Sequence, residues 1–121
     1  MGVDATVFVL AEYSTDVGYV VAAFTLDRDR GFWDEIQKVE RAKPWAAVQL
    51  PQGGWSQDSD GRAGDAVAEQ GYLFEDAYGV PLTSAKGADY RGLAAEPGLN
   101  GAVFGFVYEH YPDHDVVILW H

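Results

Sequence analysis

Residues 101–121, GAVFGFVYEHYPDHDVVILWH, decide the fold that we predict for this chain. Two apolar segments, 102–111 and 115–121, flank a turn at Pro112-Asp113-His114. The second segment contains Val116-Val117-Ile118-Leu119-Trp120, an unbroken apolar run that is typical of a strand covered on both faces. This stretch therefore predicts a β-hairpin whose last strand lies inside a sheet rather than at its edge.

A first hairpin is predicted at the beginning of the chain, over residues 3–27. Residues 3–13 alternate in the β pattern, and residues 17–27 resume it after the turn residues Ser14-Thr15-Asp16. Both faces of this hairpin are largely apolar. Two such hairpins imply an antiparallel sheet that is covered by helices or pairs with a second copy of the chain.

Helices are predicted between the two hairpins. The strongest covers residues 30–43, with Asp29 as its N-cap and Pro44 after its end. A second helix is predicted from Asp60 or Gly61 to Tyr78, although Tyr72-Leu73-Phe74 is also compatible with a strand. A third, weaker helix is predicted from Thr83 or Ser84 to Glu96.

A short strand at 45–50 and a glycine-rich loop at 51–64 complete the predicted order, ββαβααββ. This order is typical of an α+β fold with an antiparallel sheet of four to five strands, packed with two to three helices. The length of 121 residues fits a single domain, 1–121.

Composition limits the function classes. The chain has a net charge of −11 and contains no cysteine. The acidic surface disfavours direct binding of nucleic acid or of an anionic membrane, since both need a basic face. The charge fits a basic protein partner or a cation, and it is equally the pattern of a chain whose acidity serves only solubility or adaptation to salt. The absence of cysteine and of a signal-peptide pattern leads us to expect a soluble cytoplasmic protein.

No pattern in the sequence predicts a catalytic set, a cofactor or a metal site. Asp58-Ser59-Asp60-Gly61 begins like a calcium loop, but Arg62 and Ala63 break the motif. In the predicted closing hairpin, His110 and His121 stand roughly 13 Å apart, too far to share one metal ion. Gly54-Trp55-Ser56-Gln57-Asp58 lacks the closing glycine of a nucleophile elbow.

The sequence therefore favours a small, acidic, non-catalytic interaction protein of the inhibitor, immunity or anti-defence type, including mimics of nucleic acid. Trp55, flanked by glycines, is the predicted interface anchor. The carboxylates expected to contact the basic partner are Asp58, Asp60, Asp65, Glu75 and Asp76. One alternative is a small-ligand or metal-dependent enzyme with its pocket under the loop 51–64. Another is a homo-oligomeric structural protein, a homodimer in its simplest form.

Overall fold

The computed structural model describes residues 3–14, 17–41, 43–45, 47–49 and 72–121. Within these ranges the strands are β1 (Ala5–Ser14), β2 (Val17–Thr25), β3 (Lys43–Pro44), β4 (Ala47–Gln49), β5 (Tyr72–Leu73), β6 (Thr83–Lys86) and β7 (Asp115–Trp120). The helices are α1 (Arg30–Gln37), α2 (Arg91–Ala94) and α3 (Gly98–His110), and a 3-10 helix, Gly87–Tyr90, precedes α2. The described part of the chain is an α+β fold.

The strands form one mixed sheet in the order β3-β6-β7-β1-β2-β4-β5. The predicted first hairpin is confirmed, because β1 and β2 pair antiparallel. The strand β7 lies between β1 and β6, as its unbroken apolar sequence predicts. The expectation of a purely antiparallel sheet is wrong, because β2 and β4 pair in parallel.

The sheet curves until its two ends approach each other. β3 forms one end beside β6, and β4 pairs with β2 near the other end. Only residues 45 and 46 separate β3 from β4 in the chain. Because consecutive Cα atoms are about 3.8 Å apart, this connection spans at most roughly 11 Å. The sheet is therefore a half-barrel.

Trp45 fills the space between the two ends of the half-barrel. Its indole Nε1–H donates to Ser84 Oγ of β6 at 2.8 Å. On the other side, a Cβ added to Gly18 of β2 would lie 2.8 Å from the ring. Only glycine at position 18 leaves room for this ring. Around Trp45 an inner core collects Phe8, Leu10, Val48, Leu73, Leu82, Val117 and Leu119.

The helices cover the opposite face of the sheet and form a second core. Phe32, Trp33 and Ile36 are the buried residues of α1. Tyr90 of the 3-10 helix stacks on Phe104 of α3, with 5.1 Å between ring centroids. Both faces of β7 are buried within one chain, since Val116 belongs to the helix-covered core and Val117 to the inner core.

The predicted strand at 102–111 is wrong, because residues 98–110 form α3. Its buried residues, Asn100, Gly101, Val103, Phe104 and Val107, recur every three to four positions, which is the helical period. The segment is apolar almost throughout, so an alternation of two also fits it. The Asn100 amide accepts from Asp27 N at 2.7 Å and donates to Asp27 O at 2.8 Å, which joins α3 to the end of β2.

The other predicted helices are shorter than expected. The helix α1 begins after Asp29, whose side chain accepts from Phe32 N at 3.1 Å as predicted, but it ends at Gln37. In place of one helix from residue 83 or 84 to 96, the chain forms β6, the 3-10 helix and α2. At 72–73 the strand alternative is confirmed by β5, while the prediction for residues 60–71 lies outside the described residues.

Candidate functional site

An apolar surface groove of about 500 Å³ lies where the beginning of β1, one face of α1 and the end of β7 meet the turn at 76–80. Trp33 and Trp120 form its aromatic part, with ring centroids 5.6 Å apart and planes at 79°. We call it the tryptophan groove, and it is lined by Val3, Arg30, Trp33, Asp34, Gln37, Asp76, Tyr78, Val80 and Trp120.

Three side chains with large apolar parts are exposed around the groove. Tyr78 is 57% exposed, Val80 55% and Val3 38%. Val3 is distant in sequence from Tyr78 and Val80, which lie on one tight turn, yet the three side chains line a single depression. Exposed apolar side chains that are scattered singly need no explanation, whereas side chains that share one depression make it a candidate binding surface.

The wall formed by residues 76–80 is a rigid turn. The Asp76 carboxylate is buried, and its Oδ1 accepts from the backbone N of Tyr78 at 2.8 Å and of Val80 at 3.1 Å. Asp76 N donates to Val80 O at 2.9 Å, and Gly79 has a φ of 80° that suits glycine. Ala77 N donates to Trp120 O at 3.1 Å, so the turn is also bonded to the end of β7.

The helix α1 supplies the facing wall. Arg30, Trp33, Asp34 and Gln37 follow the spacing i, i+3, i+4, i+7, which places them on one face of the helix. Trp33 is held in place by its indole N–H, which donates to Val3 O at 2.8 Å. In the described part of the chain, neither Arg30 nor Asp34 forms an ion pair. Both charges are therefore available to a ligand.

A larger groove of about 720 Å³ lies between α1 and α2 and is lined mainly by charged side chains. Its cations are already paired. Lys43 Nζ lies 3.1 Å from Asp115 Oδ2, Lys86 Nζ lies 3.0 Å from Asp115 Oδ1, and Lys38 pairs with Glu35 at 3.2 Å. Burial tends to lower the pKa of Lys43, but its bonds to Asp115 and Glu12 outweigh this and raise it. The two pairs with Asp115 join β3 and β6 to β7, whereas the pair of Lys38 with Glu35 stays within the α1 segment.

The histidines do not meet at one site. Since 98–110 is a helix, the predicted closing hairpin, on which the expected placement of His110 and His121 rested, does not form. The His110 ring packs against the Phe106 ring, with 4.4 Å between the ring centroids, and His121 Nε2 lies 2.9 Å from Thr6 Oγ1. Among the described residues, no group of three or more His, Asp or Glu side chains is arranged to hold a metal ion.

The structure describes two of the six predicted contact residues. Glu75 is exposed next to the groove wall, and Asp76 lines the groove with its carboxylate bonded to the turn. Trp55, Asp58, Asp60 and Asp65 lie outside the described residues, as does the loop 51–64, and their roles stay predictions.

Sequence reasoning missed Trp33, Tyr78, Val80 and Trp120 as site residues. A signal was present for Tyr78 and Val80, because Tyr-Gly-Val-Pro at 78–81 places apolar side chains on either side of a turn glycine. No such signal existed for Trp33 and Trp120, since the sequence does not show that α1 and the end of β7 lie side by side.

No protein-family model, curated protein or solved structure matches this chain. Across the ranges that the structure describes, no helix is both long and apolar enough to cross a membrane. The chemistry of the tryptophan groove is thus the basis for assigning a function.

Proposed function

We propose that this protein is a non-catalytic interaction protein that binds a basic protein partner through the tryptophan groove. The observation that carries the proposal is the cluster of exposed apolar side chains over Trp33 and Trp120, on a chain with a net charge of −11. Tryptophan and tyrosine are the residues most often found as binding hot spots. The acidic surface adds long-range attraction and speeds the encounter with a basic partner.

The rigid turn supports binding rather than catalysis. Because Asp76 fixes the backbone at Tyr78 and Val80, the groove wall is formed before a partner arrives, which lowers the entropy lost on binding. Its carboxylate is already engaged by two backbone N–H groups.

The experiment is affinity capture of the tagged chain from an extract of the source organism, with washes at low and high salt. Val80→Ser is the groove variant, and Val21→Ser is its matched control, because Val21 is 41% exposed on β2 and does not line the groove. The protein retained in stoichiometric amount is then purified, and its dissociation constant is measured directly against each variant.

Wild type and Val21→Ser should retain the same basic protein and release it at high salt. Val80→Ser should bind it about five- to tenfold more weakly. About half of the valine side chain is exposed in the free protein, and covering that half with the partner contributes roughly 1 kcal/mol, which serine does not supply. Equal affinities of the two variants, or retention of no basic protein, would contradict the proposal.

A further inference from the structure

We infer that the tryptophan groove receives a basic, proline-rich segment of the partner in the extended polyproline II conformation. This inference rests on the proposed binding function and names the occupant of the same site. Three features of the groove support it: polar groups that are free to bond a ligand, polar groups that are already bonded within the protein, and aromatic side chains.

The aromatic faces of the groove suit proline rings. Trp33 is buried and its indole N–H is bonded to Val3 O, so it forms the floor of the groove and leaves the partner-accessible aromatic surface to Trp120 and Tyr78. Trp120 stands nearly perpendicular to Trp33, and the exposed Tyr78 lines the same depression. Recognition of proline-rich segments relies on such aromatic-lined grooves, because the segment is extended and stiff before it binds.

The unpaired polar groups of the groove are mostly hydrogen-bond donors. The Trp120 indole N–H, the Arg30 guanidinium and the Gln37 amide form no hydrogen bond with other described residues. A polyproline II segment exposes carbonyl acceptors that have no internal partner, and proline contributes no N–H of its own. Donor-rich walls therefore complement such a segment.

The same groups disfavour the two other common peptide conformations. An added β-strand needs free backbone groups on the wall. The N–H groups of Tyr78 and Val80 are bonded to Asp76, and Val80 O accepts from Asp76 N. A helix bonds its own carbonyl groups internally and would leave the donors of the groove without acceptors.

The charges select a basic segment. The Asp34 carboxylate is exposed on the α1 wall and forms no ion pair with the described part of the chain, and Glu75 is exposed next to the opposite wall. An arginine next to the prolines can reach Asp34, while Arg30 on the preceding turn is placed to donate to the carbonyl groups of the segment.

The test is a titration followed by the indole N–H resonances in a two-dimensional ¹⁵N NMR spectrum. The probe is a synthetic peptide that alternates proline with leucine and carries arginine at both ends. One comparison peptide has alanine in place of each proline, and another has glutamine in place of each arginine. The Trp45 indole is an internal reference, since it is buried and bonded to Ser84.

The proline peptide should shift the Trp120 indole resonance and leave that of Trp45 unchanged. The alanine peptide should bind at least about tenfold more weakly, because it must be ordered on binding. Asp34→Asn should weaken the proline peptide about two- to fivefold at low salt. Glu109→Gln, which removes an exposed carboxylate outside the groove, should leave its affinity unchanged.

Equal affinity for the proline and alanine peptides, or no shift of the Trp120 resonance, would overturn the inference. If a basic protein is nevertheless captured and lost in Val80→Ser, only the identity of the bound segment is wrong. If capture is also insensitive to Val80→Ser, the proposed function fails as well.

Discussion

The turn that forms one wall of the groove depends on a single carboxylate, and replacing it provides a quantitative test. In Asp76→Ala, the backbone N–H groups of Tyr78 and Val80 lose bonds of 2.8 and 3.1 Å to a buried acceptor. A bond to a charged group contributes about 1.5–3 kcal/mol. Because both residues are exposed and water can replace part of each bond, we expect a total loss of about 2–3 kcal/mol in the free energy of unfolding.

Urea unfolding, followed by tryptophan fluorescence, measures this loss. Asp76→Asn should lose only about 1 kcal/mol, because its amide oxygen can still accept from the same N–H groups. Asp113→Ala serves as the control, since Asp113 is an exposed turn residue with no hydrogen bond to other described residues, and it should stay within about 0.5 kcal/mol of wild type. If Asp76→Ala is as stable as wild type, Asp76 does not hold this wall of the groove.

Three further substitutions test the packing. Gly18→Ala should lose about 1–3 kcal/mol in urea unfolding, because the new Cβ lies 2.8 Å from the Trp45 ring; an unchanged stability would contradict the close contact. Gly101→Ala should lose about 3 kcal/mol or more, because its Cβ meets the carbonyl oxygen of Glu96, which is backbone and cannot move aside; wild-type stability would show that α3 does not pack against the Glu96 backbone of the segment that precedes it. Burial raises the pKa of Tyr90 to about 12, above its ordinary value of 10.0. The folded protein therefore keeps the phenol neutral where the unfolded chain would ionise it, so the contribution of the buried Tyr90 to the free energy of unfolding is complete below pH 10 and is lost as the pH rises from 10 to 12. Tyr90→Phe should abolish this alkaline loss and should not destabilise the protein at pH 7, since the buried hydroxyl has no hydrogen-bond partner among the residues that the structure describes; a large loss at pH 7 would refute this.

The sequence predicted those elements for which local signals agree. The apolar run at 116–120 is short and begins with three β-branched residues, which favours a strand covered on both faces, and it lies between β1 and β6 with both faces buried. The hairpin of β1 and β2 followed from alternation around turn residues. The N-cap at Asp29 followed from local hydrogen-bond chemistry, which does not depend on the rest of the fold.

The prediction failed where two patterns overlap. Residues 102–111 are apolar at almost every position, so the periods of a strand and of a helix both fit. Packing against the sheet decides between them, and it selects the helix that buries Val103, Phe104 and Val107. The curvature of the sheet into a half-barrel could not be predicted either. It depends on the contact between Trp45 and Gly18, which are far apart in sequence and share no local pattern.

The candidate site could be predicted only in part for the same reason. The acidity of the chain follows from its composition, the basic partner stays a prediction drawn from it, and Glu75 lies next to the groove. The groove itself is formed by residues from four separate segments. Their contact, such as the hydrogen bond of the Trp33 indole to Val3 O, is a property of the tertiary structure.

The most direct test of the tryptophan groove is hydroxyl-radical footprinting of the protein, alone and in complex with the purified partner, with mass spectrometry to measure oxidation of each side chain. Tyr78 is 57% exposed in the groove, and Phe106 is 43% exposed on α3 outside it, so each reports on its own surface. We predict that the complex strongly reduces oxidation of Tyr78 and leaves that of Phe106 unchanged. Unchanged oxidation of Tyr78 in a saturated complex would show that the partner binds elsewhere and would contradict the proposed site.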